Sequence, residues 1–155
     1  IPVNEMGRMI DPYIVQTKDY FLCFFKQNGV SFSKSKDLIN WEYMGNCENC
    51  GENVCVLKEK SDYYILHSPQ NGLGLLRTQD FRSFEDLGVI TLDQSNYPWA
   101  KDRLTAGFIL TWDSNHDNDI LFFHGDNESE YTFGASIAII ENWNFKKAFP
   151  SIFMK

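Results

Sequence analysis

The side chains able to do chemistry fall in a few short stretches. Cys47-Glu48-Asn49-Cys50, followed closely by Cys55, gathers three of the four thiols. A zinc site asks for four ligands, usually as a second Cys or His pair at short spacing. His67, His116 and His124 stand singly instead, so the expectation is free thiols and no bound metal. Cys23 lies inside Phe21-Leu22-Cys23-Phe24-Phe25, where a thiol serves as a small buried apolar group. The acidic run from Asp113 to Asp119 lacks the glycine and closing glutamate of a calcium loop and reads as a solvated hairpin loop. Asp11 precedes Pro12, where it can set an extended turn. Glu52 closes the polar stretch Glu48 to Glu52, open to a solvated or a chemical role.

The elements that must position these groups are strands. Short apolar runs bounded by Gly, Asn, Asp or Lys predict strands at Tyr13–Val15, Tyr20–Lys26, Val30–Ser35, Glu42–Gly45, Val54–Lys58, Tyr63–Ser68, Leu73–Thr78, Phe108–Trp112, Ile120–His124 and Ala135–Ile140. One helical turn is expected, at Ser35–Leu38. Aromatic residues make up 15% of the chain, which suits pleated, half-buried surfaces. The fold class is all-β.

A repeat organises the strands. Gly29 to Gly45 aligns without gaps on Gly72 to Gly88, with Asp37, Leu38, Trp41, Glu42 and Gly45 falling on Asp80, Phe81, Phe84, Glu85 and Gly88. An aromatic strand precedes each copy, and a degenerate third copy runs from Ile120 to Trp143. The offset of about 43 residues lies in the range of propeller blades. In each copy the Asp can accept backbone donors in its turn, and the Trp or Phe can cover the end of the sheet. The expectation is about three four-stranded blades, near 10–46, 52–92 and 100–145, in one incomplete domain over 1–155. A sandwich of meandering hairpins is the competing architecture. Propellers close with four to eight blades, and an open set leaves sheet edges and apolar flanks bare. The chain begins Ile1-Pro2-Val3 without an initiator Met. These points lead to the expectation of missing N-terminal blades or of self-association.

Composition excludes some partners. The net charge is −7, with no basic run, which argues against nucleic acid and against an anionic membrane surface. No stretch approaches the ~20 apolar residues of a membrane span.

Several motifs resemble glycoside hydrolase family 43 and its relatives. Ile10-Asp11-Pro12-Tyr13-Ile14-Val15 followed by Tyr20-Phe21-Leu22 resembles the family's I-D-P-x-hydrophobic blade opening. Glu52-Asn53-Val54-Cys55-Val56 with Tyr63-Tyr64-Ile65-Leu66-His67-Ser68 is similar to the next opening. Asp37-Leu38-x-x-Trp41 and Asp80-Phe81-x-x-Phe84 resemble the family's S-x-D-L-x-x-W turn. Trp99 to Phe108 with Leu121 to Gly125 resembles a closing blade.

The resemblance implies a five-bladed propeller that hydrolyses a glycosidic bond with inversion and without a cofactor. Such chemistry uses an Asp base on water, a Glu acid on the leaving oxygen and a second Asp that tunes the acid. Acid and base stand roughly 6.5–9.5 Å apart so that water fits between base and sugar. Carried over, Glu52 is the general acid and Asp11 the tuning Asp, with the base in an earlier blade outside this sequence. In a second register Asp11 is the base and Asp102 the tuning Asp, and the acid is absent. Asp102, Arg103, Trp99 and His124 are the candidate sugar-binding residues. Each has a plainer reading: a surface ion pair for Asp102 and Arg103, a buried edge residue for Trp99, and strand-end packing for His124. The implied partner is an oligosaccharide or polysaccharide. A non-catalytic carbohydrate-binding or interaction module with an incomplete site is the alternative.

Overall fold

The structure, a computed structural model, describes residues 9–91, 94–100, 102–110, 119–126 and 138–143. Three antiparallel sheets succeed one another along the chain. The first holds β1 (Ile10–Gln16), β2 (Phe21–Lys26), β3 (Val30–Ser35) and β4 (Glu42–Cys47) in that spatial order. The second holds β5 (Glu52–Glu59), β6 (Asp62–Ser68), β7 (Leu73–Thr78) and β8 (Glu85–Ile90) in the same arrangement. The third, with three strands among the described residues, is β9 (Arg103–Leu110), β10 (Asp119–Asp126) and β11 (Ala138–Trp143). β1 packs on β5 and β5 on β9, so the first strand of each sheet faces its neighbour's first strand. This is a partial β-propeller.

Two apolar layers hold the sheets together. Between the first and second lie Leu22, Phe24, Phe32, Val54, Val56, Ile65, Leu76 and Phe81. Between the second and third lie Leu66, Leu73, Leu75, Leu104, Leu121 and Phe123. Each fully buried Leu or Phe contributes about 1.5–3 kcal/mol of transfer free energy. Tyr13 touches both layers, and its hydroxyl donates to the Val56 carbonyl at 3.4 Å. Burial, reinforced by Cys55, pushes the Tyr13 phenol up to about 12, so it remains a donor.

The repeat is written into the turns atom by atom. Ser35 Oγ accepts from the Leu38 N–H at 2.9 Å, and Asp37 Oδ1 accepts from Asn40 and Ile39 at 2.7 and 2.9 Å. In the second sheet Thr78 Oγ1 accepts from Phe81 at 2.9 Å, and Asp80 Oδ1 from Arg82 and Ser83 at 2.8 and 3.0 Å. These donors, Asn40 foremost for Asp37 and Ser83 for Asp80, hold both carboxyls below the usual range. Leu38 and Phe81 take φ of 62° and 54°, a conformation uncommon for bulky residues and tolerated here because the turn's hydrogen bonds impose it. The expected helical turn at Ser35–Leu38 is therefore this side-chain-capped bend. Equivalent cross-strand ion pairs follow, Lys34–Glu42 at 3.1 Å and Arg77–Glu85.

Other boundaries differ for physical reasons. β1 starts at Ile10 rather than Tyr13, because Pro12 is accepted at a bulge on an edge strand of the sheet. β9 starts at Arg103 rather than Phe108, since a register shift absorbs Ala106 and Gly107. β8 was not among the expected strands; four of its six residues are exposed, which blurs the alternation. The acidic run 113–118, the end of the strand expected at Phe108–Trp112 and the start of the one expected at Ala135–Ile140 lie outside the described residues.

Candidate active site

All three inner strands carry the same irregularity, at the first residue of β1 and β5 and at the third of β9. A register shift follows Ile10 in β1, Glu52 in β5 and Thr105 in β9. Such bulges re-aim side chains near sites. Asp11 and Asn53 sit at matching places in them, each with φ 53°. Glu52 thus occupies the place of Ile10, one residue earlier than that of Asp11. Asp and Asn are the types that best tolerate this backbone.

Glu52 forms an ion pair with Lys26. Lys26 ends β2 directly across from Ile10, so this contact ties the start of β5 to the start of β1, beside exposed Asp11. The third sheet joins the same end. Thr105 Oγ1 donates to the Pro69 carbonyl at 3.3 Å, and the Leu104 N–H donates to Asn71 Oδ1 at 2.9 Å. The segment 69–71 follows Ser68, which pairs with Glu52. Asp11, Glu52, Asp102 and Arg103 therefore stand at the entries of three successive inner strands.

Around Arg103 the arrangement is a charge cluster. Arg103 Nε donates to the buried Asp126 carboxylate across the β9–β10 ladder. Asp102, exposed, donates its backbone N–H to the Asp126 carbonyl at 3.2 Å. His124 lies opposite Thr105. Burial first, and Arg103 second, push its imidazole below its ordinary value, favouring the neutral ring. Trp99 packs its ring nearly parallel to Phe123 at 6.5 Å and edge-on to Tyr97 at 6.2 Å, while staying 36% exposed.

Sequence reasoning missed two residues. Lys26 was read only as the end of a strand, although the Glu52 partner had to come from a neighbouring sheet. His67 is buried, and its Nδ1 accepts the Gly51 N–H at 3.0 Å, fixing the segment just ahead of Glu52. Its ring fills the space over Gly74, where an added Cβ would stand 2.2 Å from Cε1. Burial lowers its pKa, Asp86 opposing. The signal was there in a histidine two residues before a turn, facing a glycine.

Two surface cavities open on the outer strands instead. One of about 620 Å3 is lined by Tyr20, Lys34, Asp37 and Trp41, and one of about 530 Å3 by Phe32, Met44, Arg82 and Phe84. Neither includes Asp11 or Glu52.

No family model matches the chain, and no curated protein matches it. Solved structures do. An α-L-arabinanase of Cellvibrio cellulosa complexed with arabinohexaose superposes with a TM-score of 0.63 at 17% identity, covering 88% of this chain and 49% of that one. A thermostable family-43 glycoside hydrolase matches with a TM-score of 0.53 at 11% identity, over 88% and 54%. A β-1,2-mannobiose phosphorylase of Listeria innocua, complexed with β-1,2-mannobiose, matches with a TM-score of 0.56 at 21% identity, over 86% and 39%. The chain spans about half the length of the first two and less of the third. These likenesses establish the fold, a partial β-propeller like that of glycoside hydrolase family 43, with three sheets among the described residues.

Proposed function

We propose that the chain is part of a glycoside hydrolase that cleaves a glycosidic bond by inverting acid–base hydrolysis. Glu52 delivers the proton to the leaving oxygen, and Asp11 tunes it. The base comes from a sheet outside this sequence. The observation that carries the reading is the Lys26–Glu52 ion pair, which joins the entry of β5 to that of β1 beside Asp11. An ion pair holds a carboxylate, whereas a general acid must carry a proton. The role therefore requires the Lys26 contact to loosen as a sugar enters. Arg103, Asp102, Trp99 and His124 bind the sugar, with Trp99 offering the ring face that Phe123 leaves uncovered. The fold neighbours crystallised with arabinohexaose and with mannobiose support an oligosaccharide as the ligand class.

The second reading is a carbohydrate-binding module without catalysis. It is favoured by Lys26 holding Glu52 as a paired carboxylate rather than leaving it to carry a proton.

The test is a panel of aryl glycosides and oligosaccharides, run with and without inorganic phosphate on protein that includes the sheet supplying the base, with Glu52→Gln alongside. Hydrolysis that falls about 10²–10⁴-fold in the variant supports the enzyme. Binding without turnover moves the assignment to the module, and neither activity nor binding removes both.

A further inference from the structure

The connection from β4 to β5 carries a second chemical feature. Glu48 and Asn49 are the centre of a tight turn, with Asn49 at φ 60°. Cys47 and Cys50 flank it, 3% and 7% exposed, in the same apolar layer. A four-residue turn brings its end Cα atoms within about 7 Å, inside the span that a disulfide bridges. Both thiols are free and buried on the same side of the turn, so the pair is adjacent in one apolar layer.

We propose that Cys47 and Cys50 are a redox couple that closes into an intrachain disulfide, a modification independent of the glycosidase reading. The oxidant is a small-molecule disulfide of the glutathione class. The Cys47 thiolate attacks one of its sulfurs, forming a mixed disulfide and expelling one glutathione thiolate. Cys50 then gives up its proton and attacks Cys47 Sγ, expelling the second. Two electrons pass from the protein to the oxidant, and the two thiol protons end on two glutathione molecules.

Burial decides when this happens. The Cys50 thiol is pushed up, first by its bond to Cys47 and then by desolvation, and a scarce thiolate exchanges slowly. The bond therefore forms while the chain folds and resists reductant afterwards. Its position is structural as well as chemical. It lies just before Gly51, whose N–H is held by His67, and Glu52. Closing it removes the turn's freedom in the unfolded chain. Cys55 and Cys23 sit apart, Cys55 in the other apolar layer and Cys23 on β2, and remain reduced.

The experiment refolds the chain in oxidised/reduced glutathione buffers, quenches with an alkylating agent in denaturant and weighs the product. Wild type is expected to lose two alkylatable thiols of four. A Cys23→Ser, Cys55→Ser double variant, which keeps only the pair, is expected to lose both of its thiols. Native oxidised protein should withstand millimolar reductant that opens the bond within minutes in denaturant. Four alkylated thiols in wild type across all buffers, or two free thiols in the double variant, overturns the couple. Loss of Cys23 or Cys55 instead of the pair overturns it equally.

Discussion

Among single residues, His67 makes the clearest commitment. Its ring is buried, is held on Gly51 by Nδ1 and has a lowered pKa. In the unfolded chain the same imidazole titrates near 6.5. Below that pH the unfolded state takes up a proton that the folded state refuses, so stability falls as pH drops. The contribution is intact above the unfolded value of 6.5 and is lost progressively as pH falls below it. Urea midpoints of wild type and His67→Gln, measured at pH 7.5 and 5.5, check this. The variant should be less stable at pH 7.5 but lose less between the two values. Equal losses would show that His67 does not set the slope. The sequence left His67 obscure because its partner, Gly51, is a backbone group sixteen residues away. Asp11 and Glu52 were legible as strand-opening acids, yet their one-residue offset was not, because the bulge's mark, Asp11 matched by Asn53, shows only once the register is known.

At the level of elements, equivalent positions have unequal work. Phe81 and Leu38 share a backbone conformation and a hydrogen-bonded turn. Phe81 nonetheless packs on Phe24 and Tyr63, with ring centroids at 6.1 and 4.5 Å, whereas Leu38 faces outward. Phe81→Ala should therefore cost about 3–5 kcal/mol by cavity formation, and Leu38→Ala under about 1 kcal/mol. Chemical denaturation of the two variants measures the contrast; similar costs would deny that the second sheet anchors on the first through this turn. The gapless repeat between Gly29–Gly45 and Gly72–Gly88 made the turns and the aromatic strands readable. β8 escaped because only Leu87 and Ile90 pack on the core, three residues apart, which breaks the period-two alternation. β9 was cut short because period-two reasoning fails across one inserted residue.

For the whole molecule, the repeat says which exposed apolar groups are out of place. Ile14 and Leu38, 51% and 47% exposed, match Val56 and Phe81, 7% and 3% exposed, in the next sheet. Phe108 and Leu110, also exposed, match buried Cys55 and Leu57. Each sheet buries these positions against a neighbour where it has one. The first and third sheets thus present one unpaired face each, of complementary kinds. The chain on its own should associate head to tail as concentration rises, and Leu38→Asp or Phe108→Asp should shift it toward monomer. Light scattering over a concentration series reports this, and a strict monomer throughout would contradict it.

The assignment of sugar chemistry to the entries of the inner strands is tested most directly by amide hydrogen exchange with and without an oligosaccharide panel that includes arabinohexaose. Protection is expected at Ile10–Tyr13, Gly51–Val54 and Arg103–Thr105, weakened in Glu52→Ala. Protection confined to the Tyr20–Trp41 cavity on the outer strands, or none with any sugar, would contradict the account.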